Sequence, residues 1–177
     1  MPRPADVHWL HPEVGRYLPE KWDRLRRGVP EEARDGDLVA AYNKLLNGQT
    51  DVPLREQAAL DWCDWEAVVM WLEPGYIYPR RFTDAAFRAT LARIVTHYVS
   101  HAAWLPEDPL FRHAQRLAGI PGVLVPGRLD LGGPADTAWQ LIKAWPDAKL
   151  HLISTGHGGG QEMDRHVRNA GFRFGAG

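Results

Sequence analysis

Over its first two thirds the chain reads as helices separated by proline and glycine. Pro30-Glu31-Glu32 sets a proline and two acids where a helix N-terminus favours them. Leu38, Tyr42, Leu45 and Leu46 follow at i, i+4, i+7 and i+8, and Asn47-Gly48 closes the segment. A second helix is predicted after Asp51, with Trp62, Trp65, Val69 and Leu72 as its apolar stripe and Pro74-Gly75 as its stop. A third is predicted from Thr83, with Phe87, Leu91, Ile94, Val95 and Tyr98 on one face, and a shorter one over Pro109 to Leu117.

The pattern changes after Gly119. Gly122-Val123-Leu124-Val125 is too short for a helix and rich in β-formers, so it reads as a buried strand. Pro134 to Trp145 carries Ala138, Leu141, Ile142 and Trp145 at helical spacing. Leu150 to Ile153 reads as a second strand, and Glu162 to Gly171 as a last helix. Strand, helix, strand, helix makes the strands parallel and the fold class α/β. Two parallel strands leave an unpaired edge, so a copy of the chain or another polypeptide is expected to supply more strands.

Charge and composition narrow the partners. The 177 residues hold 21 basic and 22 acidic side chains, and nothing in that balance favours nucleic acid or an anionic membrane surface. No apolar run approaches the ~20 residues of a membrane helix, and Met-Pro-Arg-Pro-Ala-Asp has no secretory apolar stretch. With Cys63 as the only cysteine, a cytoplasmic location is expected. Eight tryptophans supply flat apolar surface for a core or a pocket, with Trp62, Trp65, Trp71 and Trp104 in the helical part.

The candidate chemistry lies in Gly127-Arg128-Leu129-Asp130 and Thr155-Gly156-His157-Gly158, the loops just after the two strands. Functional groups of open α/β sheets gather at such strand ends. A carboxylate there can fix an imidazole's tautomer, leaving the other ring nitrogen to take a proton from a nucleophile. The alternative is an Asp130 that caps the Pro134 helix and a solvated loop histidine. His97 and His101 stand at i, i+4, but no third ligand has suitable spacing, so neither a metal nor another cofactor is expected.

Gly119-Ile120-Pro121-Gly122-Val123 through Gly127-Arg128-x-Asp130, then Pro134, Ala138-Trp139-x-Leu141, Ala144-Trp145-Pro146-x-Ala148-x-Leu150 and Gly156-His157, resembles the C-terminal part of proline iminopeptidases (prolyl aminopeptidases), a family of α/β-hydrolases. Trp62-x-x-Trp65-Glu66, Arg93-Ile94-x-x-His97-Tyr98, Arg116-Leu117-Ala118-Gly119-Ile120-Pro121 and Tyr17-Leu18-Pro19-Glu20-Lys21-Trp22 extend the likeness through the helical part, from about residue 9 to 174. The resemblance implies a helical cap over 1–117, followed over 118–177 by the last two parallel strands and helices of the sheet domain. It implies removal of an N-terminal proline by acyl transfer through a Ser-Asp-His triad, with Asp130 and His157 as acid and base. Glu66, with Trp62 and Trp65, would bind the substrate.

Two departures stand out. The family's Gly-x-Ser-x-Gly nucleophile turn has no counterpart, since the only serines are Ser100 and Ser154. The family also holds the substrate amine with a second carboxylate, and Val95 occupies that position here. Gly158-Gly159-Gly160 further stands where the family has small polar residues. Three readings remain open: one subunit of a split hydrolase whose serine comes from a second polypeptide, a non-catalytic binding or regulatory module, and a truncated fragment of a prolyl aminopeptidase.

Overall fold

The computed structural model describes residues 8–73, 75, 77–104 and 109–175. Pro74, expected to stop the second helix, lies outside them. Contacts divide the chain into a first unit of residues 1–68 with 77–105 and a second of 69–76 with 106–177. The family resemblance implies a single boundary, after residue 117.

The first unit is helical. Helix α1 (Pro19–Arg27) begins on its proline, has Glu20 in the first turn and carries Arg24, Arg26 and Arg27 in the last, complementing the helix dipole at both ends. Helix α2 (Leu38–Asn47) starts later than Pro30. Glu31–Ala33 form only a 3-10 turn, and the Asp37 side chain caps the helix by accepting from the Ala40 N–H at 3.0 Å. Its expected stripe is buried: Leu38, Tyr42, Leu45 and Leu46, with Val39 beside them.

Helix α3 (Val52–Met70) ends before Leu72, which is exposed rather than part of the stripe. Its last two residues belong to the second unit. Ala58, Ala59, Asp61, Trp62, Cys63, Trp65, Glu66 and Ala67 are all buried, so from Ala58 on this helix is enclosed nearly all round, while its first turns are exposed. Trp62 contacts Tyr42 and His11, at ring distances of 5.4 and 5.9 Å, and Trp65 contacts Trp22 at 5.6 Å. Removing either indole would leave a large cavity and cost about 3–5 kcal/mol. The buried Asp61 is matched by Arg24 at 3.0 Å and by the Gln57 amide at 3.0 Å.

Helix α4 (Ala85–Ser100) corrects the predicted stripe. Asp84, not Thr83, is the cap, accepting from Ala86 and Phe87 N–H, while Thr83 ends a preceding 3-10 turn. Ala92 and Thr96 are the buried positions, and Ile94 and Tyr98 are exposed. The Thr96 hydroxyl donates to the Ala92 carbonyl at 2.7 Å, so a threonine enters the core with its polar group satisfied.

The second unit carries the βαβα pattern. Helix α5 (Pro109–His113) passes into a 3-10 turn at Ala114–Leu117. Strand β1 (Gly122–Leu124), helix α6 (Ala135–Ala144), strand β2 (Ala148–Leu150) and helix α7 (Gly160–Gly175) follow. The strands are parallel, with Gly122 opposite Ala148 and Leu124 opposite Leu150. Strand β2 thus begins two residues before the predicted Leu150, and Ile153 makes only an isolated bridge to Gly127. Pro126 has no N–H to give, yet its carbonyl accepts from Ile153 N–H at 3.2 Å. Pairing therefore continues irregularly past β1 and keeps the two outgoing loops side by side. Among the described residues no helix is long and apolar enough to cross a membrane.

Candidate active site

Both loops leave the carboxyl ends of the strands and remain laced together. Arg128 N–H donates to the Ile153 carbonyl at 2.8 Å, and Leu129 N–H to the Thr155 carbonyl at 3.0 Å. Gly127 allows this approach: a Cβ there would lie 2.7 Å from the Gly156 carbonyl oxygen. Asp130 and His157 arrive at the same rim as a consequence.

Asp130 Oδ2 lies 2.8 Å from His157 Nδ1. A carboxylate accepts, so Nδ1 is the donor and the neutral ring offers Nε2 as its acceptor. Asp130 Oδ1 accepts from Gly133 N–H at 3.0 Å. The carboxylate is thereby held from both oxygens before it meets the histidine. Helix α6 begins on Pro134 with no side-chain cap, so Asp130 does not serve that helix. The acid is 9% exposed at its side chain and the imidazole 58%, an arrangement of buried orienter and accessible base.

Residues 69–73 complete this rim. Val69 carbonyl oxygen accepts from Leu131 N–H at 2.8 Å and from Gly132 N–H at 3.2 Å. Met70 carbonyl oxygen accepts from His157 N–H at 2.7 Å, and the Glu73 carboxylate accepts from Gly156 N–H. The Trp71 ring meets the His157 ring edge-on at 6.1 Å. The sequence pattern gives Val69 and Leu72 to the apolar stripe of the second helix and Trp71 to a core or a pocket, and points none of them at this rim. Residues 69–73 touch loops about 60 to 90 positions away in the chain, and no local pattern announces that.

The other candidates belong to the first unit. Glu66 is buried. Trp62 and Trp65 are 1% exposed each, so their indoles form core, and the expected substrate-lining role finds no exposed indole face. His97 and His101 have rings 4.8 Å apart, and His101 Nδ1 is 2.7 Å from the His97 carbonyl oxygen. Among the described residues no group of three or more His, Cys, Asp or Glu gathers to hold a metal ion. Burial pushes the Cys63 thiol up to about 12, with the Glu66 charge adding to the shift, so it is a packed side chain rather than a nucleophile.

Comparison with known proteins supplies the family. No family model matches the chain. It is 38% identical over 178 aligned positions to a probable proline iminopeptidase of Streptomyces coelicolor, covering 98% of this chain and 54% of that protein. Against the proline iminopeptidase of Xanthomonas citri the identity is 35%, over 88% of this chain and 50% of the relative. Against that of Arabidopsis thaliana it is 32%, over 88% and 41%. The chain belongs to the proline iminopeptidase family. It spans about half the length of the curated relatives it matches. Its architecture is accordingly a partial α/β-hydrolase fold, a helical cap followed by two parallel strands and their helices.

Proposed function

We propose that this chain supplies the acid and base of a serine hydrolase of the prolyl aminopeptidase kind, and that a second polypeptide supplies the nucleophile. The observation that carries this reading is the 2.8 Å contact between His157 Nδ1 and Asp130 Oδ2 at adjacent parallel strand ends. The serine hydroxyl gives its proton to His157 Nε2 as its oxygen attacks the acyl carbon after an N-terminal proline. Asp130 stabilises the imidazolium that forms. The same proton then goes to the leaving amine, the C–N bond breaks, and a prolyl ester remains on the serine. Water repeats the cycle and releases proline. The oxyanion donors, usually the largest rate contribution, come with the nucleophile's polypeptide.

Glu66 is the carboxylate for the substrate's terminal ammonium, since a desolvated amine needs compensating charge. Val95, in place of a second carboxylate, favours the other reading, a binding module with no proline peptidase activity.

The test mixes this chain with the half of the Streptomyces coelicolor relative that it does not match. Expected are no fluorophosphonate labelling of this chain alone, labelling of the added half's serine in the mixture, and release of proline from a prolyl peptide. Stoichiometric, His157-dependent labelling of this chain alone would overturn the proposal. A mixture that binds prolyl peptides without cleaving them would favour the binding module.

A further inference from the structure

We propose that Glu73 is a positioning residue for His157, acting through the main chain of the loop that carries the base. This rests on His157 being the base of the proposed hydrolase.

The loop holds glycines at 156, 158, 159 and 160, with Gly159 and Gly160 at φ of 60° and 54°. Such a run has the largest conformational freedom a chain can have, and fixing each residue opposes ~1–2 kcal/mol of backbone entropy. A general base must nonetheless be held to within a fraction of an ångström. Two tethers restrain this one just where the histidine begins. His157 N–H donates to the Met70 carbonyl at 2.7 Å, and Gly156 N–H donates to the Glu73 carboxylate. The second is charge-assisted, the stronger kind of hydrogen bond.

The fit is close on both sides. A Cβ on Gly156 would lie 2.6 Å from the Met70 carbonyl oxygen, and one on Gly158 would lie 2.6 Å from Trp71 Nε1. The same segment holds the acid's loop through the Val69 carbonyl, which accepts from Leu131 and Gly132. Residues 69–73 therefore brace the loops of both acid and base, and Glu73 is a side-chain tether to the base's loop. Its carboxylate acts on the main chain before His157, so its effect is on the geometry of the Nδ1–H bond to Asp130.

The test uses the full 177-residue chain as wild type, Glu73→Ala and Glu73→Gln. Gln keeps an acceptor oxygen. Amide hydrogen exchange at Gly156 and the His157 Nδ1–H proton resonance are followed by NMR. Glu73→Ala is expected to speed Gly156 exchange by about tenfold or more and to broaden or lose the Nδ1–H signal. Leu131 exchange should stay unchanged, and Glu73→Gln should largely restore both signals. In the reconstituted enzyme Glu73→Ala should lower kcat by about tenfold or more with KM within about twofold. Unchanged Gly156 exchange and Nδ1–H signal in Glu73→Ala would overturn the proposal, as would equal loss at Leu131, the mark of general unfolding. If the NMR differences appear while the wild-type mixture hydrolyses nothing, the tether stands and the hydrolase reading fails.

Discussion

Asp130 does more at this rim than contribute a charge. With Oδ1 on Gly133 N–H and Oδ2 on the imidazole, it selects the ring tautomer that leaves Nε2 able to accept. Asp130→Asn keeps the shape but can present an N–H to Nδ1, turning the ring's acceptor away from the nucleophile. In the reconstituted hydrolase that variant is expected to lose about 10³–10⁴-fold in kcat, measured by proline release at saturating substrate. A loss of less than about tenfold would remove Asp130 from the orienting role. Val95 is the complementary case on the substrate side. It is half-buried on α4, and Val95→Glu restores the second carboxylate that the family resemblance implies. The expected gain in kcat/KM for N-terminal proline substrates is about 10–100-fold, the worth of a charged hydrogen bond. Unchanged kcat/KM would show that proline recognition here does not use that position.

At the scale of elements, the helical unit is built around acids that burial keeps protonated. Tyr42 is raised far above its ordinary range by burial, then by the Asp61 charge, and its hydroxyl donates to the Leu25 carbonyl at 2.8 Å. Tyr78 is raised by burial and by its 2.8 Å hydrogen bond to Asp64, and Cys63 is pushed to about 12 by burial. Each of these groups ionises more readily in the unfolded chain, near pH 9–10. The folded unit holds the extra protons, so its stability is full below about pH 9 and falls as pH rises beyond it. Tyrosinate absorbance should therefore show Tyr42 titrating only with loss of helical circular dichroism. Titration of Tyr42 before unfolding would contradict its enclosure. The same elements show what the pattern of residues could reveal. The α2 stripe and the parallel βαβα order were legible because local periodicity matched burial. The start of α2 and the buried face of α4 were not. A 3-10 turn can use Pro30-Glu31-Glu32 as well as a helix can, and small Ala92 and Thr96 fit a close contact that the larger Ile94 and Tyr98 would block. Strand β2 shifted because register depends on which N–H groups the partner strand offers, and Pro126 offers none.

The whole molecule poses a question of cover. Among the described residues the sheet has two strands, α6 and α7 contain no buried residue, and Trp139, Val167, Phe172 and Phe174 stand exposed on them. A helix flanking a parallel sheet ordinarily buries one face against it, and a sheet edge ordinarily finds a neighbour for its N–H and C=O groups. The first unit also exposes apolar side chains such as Ile94 and Tyr98, but it has a closed core, with Trp62, Trp65, Tyr42 and Leu46 enclosed around α3. This asymmetry is what the second-polypeptide proposal accounts for: the strands and helix faces that would cover the second unit travel with the nucleophile. A stable heterodimer with the unmatched half of the Streptomyces coelicolor relative is therefore expected, burying more than about 2,000 Å², as obligate interfaces do. Sedimentation velocity of this chain alone should show self-association or heterogeneity, and addition of that half should collapse it to one species of the summed mass. Trp139→Glu and Phe172→Glu place charges on exposed faces of α6 and α7, where they should leave the helical circular dichroism of the chain intact. They should nonetheless weaken the heterodimer by about tenfold or more if either face lies in a well-packed interface. A monodisperse, well-folded monomer that ignores the added half, with both glutamate variants behaving as wild type, would refute the split assembly and put the binding-module reading in its place.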